Sequence, residues 1–155
     1  MNRLLVAFLC AILSAPSVFA ASARDQVTAV MNRYLQLDGN ADRVSDKNWA
    51  DVKPVVTWLT PVSWNTVIVI TDYRLTRVNV GSTRAQAIVV YTNIGELSDR
   101  FTPEKRIETV TYHLNKVGKD WKVDGPVLKP HVLYSVMEQR LAGNPLLEQL
   151  KAAQH

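Results

Sequence analysis

Few residues in this chain have the types and spacing that catalysis or metal binding needs. The folded region carries two histidines, His113 and His131, far apart in sequence. With no cysteine beside them and no His-x-His or His-x-x-x-His spacing, a metal centre is not expected. No serine sits in a glycine elbow, and no glycine-rich loop could cradle a phosphate, so no cofactor is implied. Two carboxylates, Asp38 and Asp72, are the groups a proton-transfer enzyme would use, because a desolvated acid serves as a general base. Asp38 precedes Gly39-Asn40, where a turn aspartate is expected in solvent. Asp72 alternates with Ile70 and Arg74, and a same-face ion pair with Arg74 accounts for it. His113 alternates with Tyr112 and Leu114 and is expected on the less buried face of a strand. His131 follows Pro130 and is the third candidate for proton transfer. The expectation is therefore no catalytic residue or, for an enzyme, Asp38, Asp72 and His131.

The aromatic residues suggest a binding surface. Tyr34, Trp58, Trp64, Tyr73, Tyr91 and Tyr112, with His131, are candidates to line one concave wall. There rings give contact area and hydroxyls give orientation. The competing reading is that the same rings fill a core.

The chain has 155 residues, 47% hydrophobic and 21% charged, which supports one domain with a sizeable core. This composition excludes a disordered tail, a collagen-like repeat and a disulfide scaffold. A net charge of +4 with scattered lysines and arginines argues against a nucleic-acid partner, which needs clustered positive charge.

The elements that must hold these residues follow from periodicity. Ser22-Ala23-Arg24-Asp25 has the spacing of a capping box. Val27, Val30, Met31, Tyr34 and Leu35 then form one apolar stripe of a helix ending at Gly39-Asn40. A second helix is expected from Ser45 to Lys53, stopped by Pro54. Val55 to Leu59 fits a short strand or a last helical turn. From Val67 the period becomes two, with Val67, Val69, Thr71, Tyr73 and Leu75 on one face. After Leu75 the apolar phase moves to Val78 and Val80, the mark of a β-bulge.

Gly81-Ser82 reads as a two-residue hairpin loop. The return strand places Ala85, Ala87, Val89 and Tyr91 on one face and Ile88, Val90 and Ile94 on the other. Both faces are apolar, so it is expected at the centre of the sheet. Gly95 to Glu104 is expected as a polar loop, with the stretch Glu96 to Arg106 solvated. A strand follows from Arg106 to Val117, with Val110, Tyr112 and Leu114 inward, and a fourth carries Trp121 and Val123. Prolines make Val127 to Leu133 an edge. Ser135 and Glu138 suggest a capping box for a helix ending at Gly143. Asn144-Pro145 opens a short last helix.

Trp64 to Gly95 (WNTVIVITDYRLTRVNVGSTRAQAIVVYTNIG) and Tyr112 to Pro126 (YHLNKVGKDWKVDGP) resemble the C-terminal half of NTF2-like (ketosteroid isomerase-like) domains. Those domains have a long hairpin with an alanine opening its return strand, then a Y-x-L-x-K…W-K-V hairpin. The resemblance covers roughly residues 23–134. It implies an α+β cone, with N-terminal helices packed on a strongly curved antiparallel sheet and a pocket between them. Three functions fit that cone. One is non-catalytic binding of a small apolar ligand or a protein partner, including a homodimer through the sheet face. The second is a small isomerase or lyase acting on an apolar substrate. The third is a component of envelope assembly or a secretion machine.

The N-terminus reads as an address. Arg3 precedes the apolar run Leu4–Leu13, and Val18-Phe19-Ala20 supplies a cleavage site, the layout of a secretory signal peptide. The run is about half of the ~20 residues a spanning helix needs, so no stable membrane anchor is expected. The expected division is a signal peptide over 1–20, a domain over 21–143 and a helical tail over 144–155, in a secreted or periplasmic bacterial protein. Cleavage after Ala20 removes Arg3 and Cys10, the sole cysteine. Exported protein should begin at Ala21 and lack a thiol. Intact mass decides this, and a product that retains residues 1–20, or lipid on Cys10, overturns it.

Overall fold

The computed structural model describes residues 21–153; the expected leader lies outside them. Helix α1 (Ala23–Gly39) begins with the expected capping box. The Ser22 hydroxyl accepts from the Asp25 amide at 3.2 Å, and the Asp25 carboxylate accepts from the Ser22 amide at 3.2 Å. Val27, Met31, Tyr34 and Leu35 of its stripe are buried. The left-handed residue beyond the helix is Ala41, at φ 64°, and not Gly39 or Asn40. Gly39 is small for another reason. A Cβ there would lie 3.3 Å from the side chains of Tyr73 and Leu133. The single second helix expected from Ser45 is instead three short pieces. A 3-10 turn at Asp46–Asn48 leads into α2 (Trp49–Val52), and a second turn, Lys53–Val55, contains Pro54.

Five strands follow: β1 (Val67–Val80), β2 (Arg84–Leu97), β3 (Phe101–Val117), β4 (Asp120–Gly125) and β5 (His131–Leu133). Their order is β4-β3-β2-β1-β5, so β2 is central as its two apolar faces require. All neighbours are antiparallel except β5, which runs parallel to β1 from Ile68 to Ile70. The expected edge after β4 thus forms on the far side of the sheet.

Bulges decide which residues face inward. The shift expected after Leu75 is present, between Leu75 and Arg77. Another lies between Ile70 and Asp72 and overturns the expected face of β1. The extra residue there, Thr71, reverses the alternation. Ile68 and Ile70 therefore share the α1 side with Tyr73 and Leu75, while Val67 and Val69 point the other way. The hairpin loop is three residues, Gly81–Thr83, closed by the Gly81 amide donating to the Arg84 carbonyl at 2.8 Å. The loop expected over Gly95 to Glu104 is mostly strand, with only Ser98–Arg100 turning. Leu97 and Phe101 are buried there because the second core needs their side chains.

α3 (Tyr134–Arg140) starts from Leu133 without a side-chain cap, so the Ser135 box does not form. In α4 (Leu146–Ala152) the first amide donates to the Asn144 side chain at 2.9 Å. Two cores result. The first joins α1 to the inner face through Met31, Tyr34, Val89, Tyr91, Val110 and Tyr112. The second packs α3 and α4 on the outer face, around Val69, Ile94, Val132 and the fully buried Leu150. The architecture is an NTF2-like α+β cone: N-terminal helices against a strongly curved, mainly antiparallel sheet. Among the described residues, no helix is long and apolar enough to cross a membrane.

Met31 is fully buried between α1 and the sheet. Met31→Ala should cost about 2–5 kcal/mol, a large share of a domain's stability. Urea unfolding measures it, and a variant as stable as wild type would mean that α1 does not carry the core.

Candidate functional site

Where α1 ends against β5 and β3, the fold buries a chain of polar groups. Asp38, in the last turn of α1, is 1% exposed, so the solvated position expected for it is wrong. The turn at Gly39 folds its carboxylate under the segment that follows. There Arg43 Nη1 donates to Asp38 Oδ1 at 2.7 Å, and Arg43 Nη2 donates to the Leu128 carbonyl at 3.0 Å. The guanidinium also lies 4.8 Å from the centre of the Tyr34 ring. Burial pushes the Asp38 carboxyl up, against the pull of Arg43 and His131. Burial would likewise lower Arg43, but the carboxylate beside it prevails and the guanidinium stays charged.

His131, on β5, is fully buried and stacks on Tyr91 with ring centres 3.9 Å apart. Its Nδ1 lies 3.8 Å from Asp38 Oδ2, and its Nε2 lies 3.3 Å from Glu108 Oε2. The imidazole is thus held between two carboxylates. Asn93 Nδ2 donates to the same Glu108 oxygen at 2.6 Å, and Arg106 approaches it at 3.5 Å. Partial burial raises the Glu108 carboxyl, but Asn93, His131 and Arg106 outweigh it and hold the group below its usual range. Glu108, with its side chain 23% exposed, is where this chain reaches solvent.

The aromatic candidates divide between two places. Tyr34, Tyr91 and Tyr112 fill the interior, with the Tyr91 and Tyr112 hydroxyls 2.9 Å apart and Tyr34 edge-on to Tyr112. Burial above all pushes all three hydroxyls up, so they remain protonated; Tyr91 and Tyr112 bond each other, and the Tyr34 hydroxyl is buried without a partner. Tyr73 is half-buried beside Gly39. Trp58 stands edge-on to Tyr34, and with Trp49, Trp64 and Arg43 it lines a slot whose free volume, about 10 Å³, is near that of one water. Larger clefts lie outside the cone. One of about 520 Å³ is at the β1–β2 tip, another of about 750 Å³ lies between α1 and the β3–β4 turn, and a third of about 410 Å³ flanks Ile107. None of these is lined by Tyr34, Tyr91, Tyr112 or His131.

Of the carboxylates considered for proton transfer, the structure places Asp38 beside His131, at 3.8 Å and without a hydrogen bond, and leaves Asp72 elsewhere. Asp72 is exposed and, with Arg74, forms no ion pair among the described residues, so the expected Asp72–Arg74 pair is absent. His113 is exposed, as its alternation requires. Arg43, Asn93 and Glu108 were not among the expected site residues. Glu108 had a signal, since it shares the inward phase of Val110, Tyr112 and Leu114. Asn93 likewise follows Tyr91 by two, whereas Arg43 sits in a polar stretch with no local mark. Among the described residues, no three His, Cys, Asp or Glu side chains are grouped to hold a metal ion.

No protein-family model matches the chain, and no curated protein matches it. It is similar to a solved structure, the intermembrane space region of the chloroplast protein ARC6. The two share 14% sequence identity and a TM-score of 0.40, over 71% of this chain and 99% of that one.

The pH dependence follows from Glu108. A carboxyl held below its unfolded value adds stability above that unfolded value and loses it as pH falls through the folded one. Asp38, pushed up, acts in the opposite sense and burdens the folded state at neutral pH. Glu108→Gln should therefore remove part of the stability loss that wild type shows on acidification, read from urea midpoints at several pH values. An acid limb identical in both proteins would sink this assignment.

Proposed function

We propose that this is an exported, non-catalytic binding domain of the NTF2-like group, acting in the bacterial envelope and recognising a protein partner with its outer surface. The leader-like N-terminus supports export, and the cone and the quoted hairpin segments support the group. One observation carries the binding reading. Met31, Tyr34, Tyr91, Tyr112 and His131, where a cone-shaped enzyme would hold its substrate, are each at most 1% exposed. A ligand chamber of ordinary size, roughly 300–1,000 Å³, is not left between them. The polar chain from Glu108 to Arg43 then acts as a clamp that fixes the edge strand and the end of α1.

A second reading, an isomerase or lyase, is favoured by the convergence of Asp38 and His131. A histidine between two carboxylates is suited to moving a proton. Catalysis at that place would require the interior to open for an apolar substrate.

One experiment separates the two readings. Estradiol, a rigid apolar probe of substrate size, should leave the melting temperature of the mature protein unchanged at saturating concentration. A ligand that entered the cone would stabilise it by about 2.7 kcal/mol at a hundredfold excess over its Kd, a rise of several degrees. Such a rise, lost in Tyr112→Trp, would overturn the binding-domain reading in favour of the enzyme.

A further inference from the structure

β5 covers only Ile68 to Ile70 of β1. From Thr71 to Val80 the strand is hydrogen-bonded to β2 on one side and, among the described residues, has no strand on the other. No backbone hydrogen bond from another element reaches this edge among the described residues. Such an edge presents unpaired amide and carbonyl groups, a template for an added strand.

The side chains along it differ by face. Asp72, Arg74 and Arg77 stand opposite Thr92, Val90 and Ile88 of β2, the outward-facing residues. Arg74 and Arg77, three apart, would point to opposite faces of a regular strand. The bulge between Leu75 and Arg77 brings them onto the same one. Both are exposed, and neither forms an ion pair among the described residues. On the inner side, Tyr73, Leu75 and Val80 are only partly covered by the first core.

We propose that the free edge of β1 is a strand-addition site for an extended segment of a protein partner, with acidic residues on one face and apolar residues on the other. This proposal rests on the binding-domain reading and gives it a location. The acids pair with Arg74 and Arg77, and the apolar side chains extend the first core over Tyr73 and Leu75. Asp72, on the arginine face, repels an acid at its own position and so fixes where the acidic residues fall. In one register the same charges disfavour a second copy of this chain. Antiparallel pairing of β1 with itself sets Arg74 against Arg77 in the register that aligns them, and like charges opposite one another are destabilising.

The test is titration of the mature, isotope-labelled protein with a synthetic peptide of about ten residues that alternates glutamate and valine. Amide shifts should be confined to residues 71–80 and their β2 partners, and those amides should exchange more slowly. Added salt should weaken binding. Arg74→Glu with Arg77→Glu should weaken it about tenfold or more, since two charge pairs are reversed at a surface site. Both arginines are exposed, so the variant should melt as wild type does. Absence of binding, or equal binding of a lysine–valine peptide, overturns the proposal. Dimerisation through β1 also overturns it, in favour of a second copy. Shifts at another surface overturn the edge but leave the binding-domain reading standing, because that reading fails separately, by estradiol entering the cone.

Discussion

The nearly fully buried ion pair between Asp38 and Arg43 is the constraint the rest of the fold is arranged around. Desolvating two charges costs several kcal/mol per ion, and their attraction offsets this only with good geometry and further hydrogen bonds. The geometry is good and the guanidinium has further partners, while Asp38 Oδ2 is buried without a hydrogen bond. The 2.7 Å contact is supplemented by the Leu128 carbonyl and by the face of Tyr34. These partners come from α1, from the segment after it and from the β4–β5 connection. One charge pair therefore ties three distant parts of the chain. Replacing either member alone would leave a buried charge uncompensated, a far larger penalty than losing one contact.

The filled interior follows from that arrangement. Tyr34, Tyr91 and Tyr112 are large enough to span from α1 to the sheet, and their hydroxyls need partners once buried. The Tyr91–Tyr112 hydrogen bond supplies one, and the stacked His131 ring occupies the remaining face of Tyr91. His131 also links the short β5 to Glu108 by a hydrogen bond and sets it beside Asp38, which helps three residues of parallel edge strand stay in register. A cone built this way gains rigidity from the groups that would otherwise line a binding chamber.

What the sequence disclosed was local in origin. The capping box at Ser22, the stripe through Met31 and Tyr34, the central position of β2 and the bulge after Leu75 each depend on residues within a few positions. The burial of Asp38 does not. It is created by residues five, ninety and ninety-three positions later, Arg43, Leu128 and His131, and nothing beside Asp38 announces them. The bulge at Thr71 was half legible. Thr71 and Asp72 break the alternation, but the four apolar residues before them, Val67 to Ile70, hide which face is inward. Leu97 and Phe101 were hidden differently, because polar neighbours made a buried pair of strand ends look like a solvated loop.

The free edge of β1 follows from the shortness of β5. A β5 that continued parallel to β1 past Leu133 would pair more of β1 and remove its exposed backbone. The clamp needs His131 at the point where β1 meets α1, and the chain turns into α3 directly after Leu133. The outer half of β1 is therefore left uncovered, and an uncovered edge invites aggregation unless something blunts it. Exposed arginines and a bulge do so here. A strand of opposite charge meets no such barrier. On the strand-addition proposal, the same two side chains, Arg74 and Arg77, would select an acidic partner.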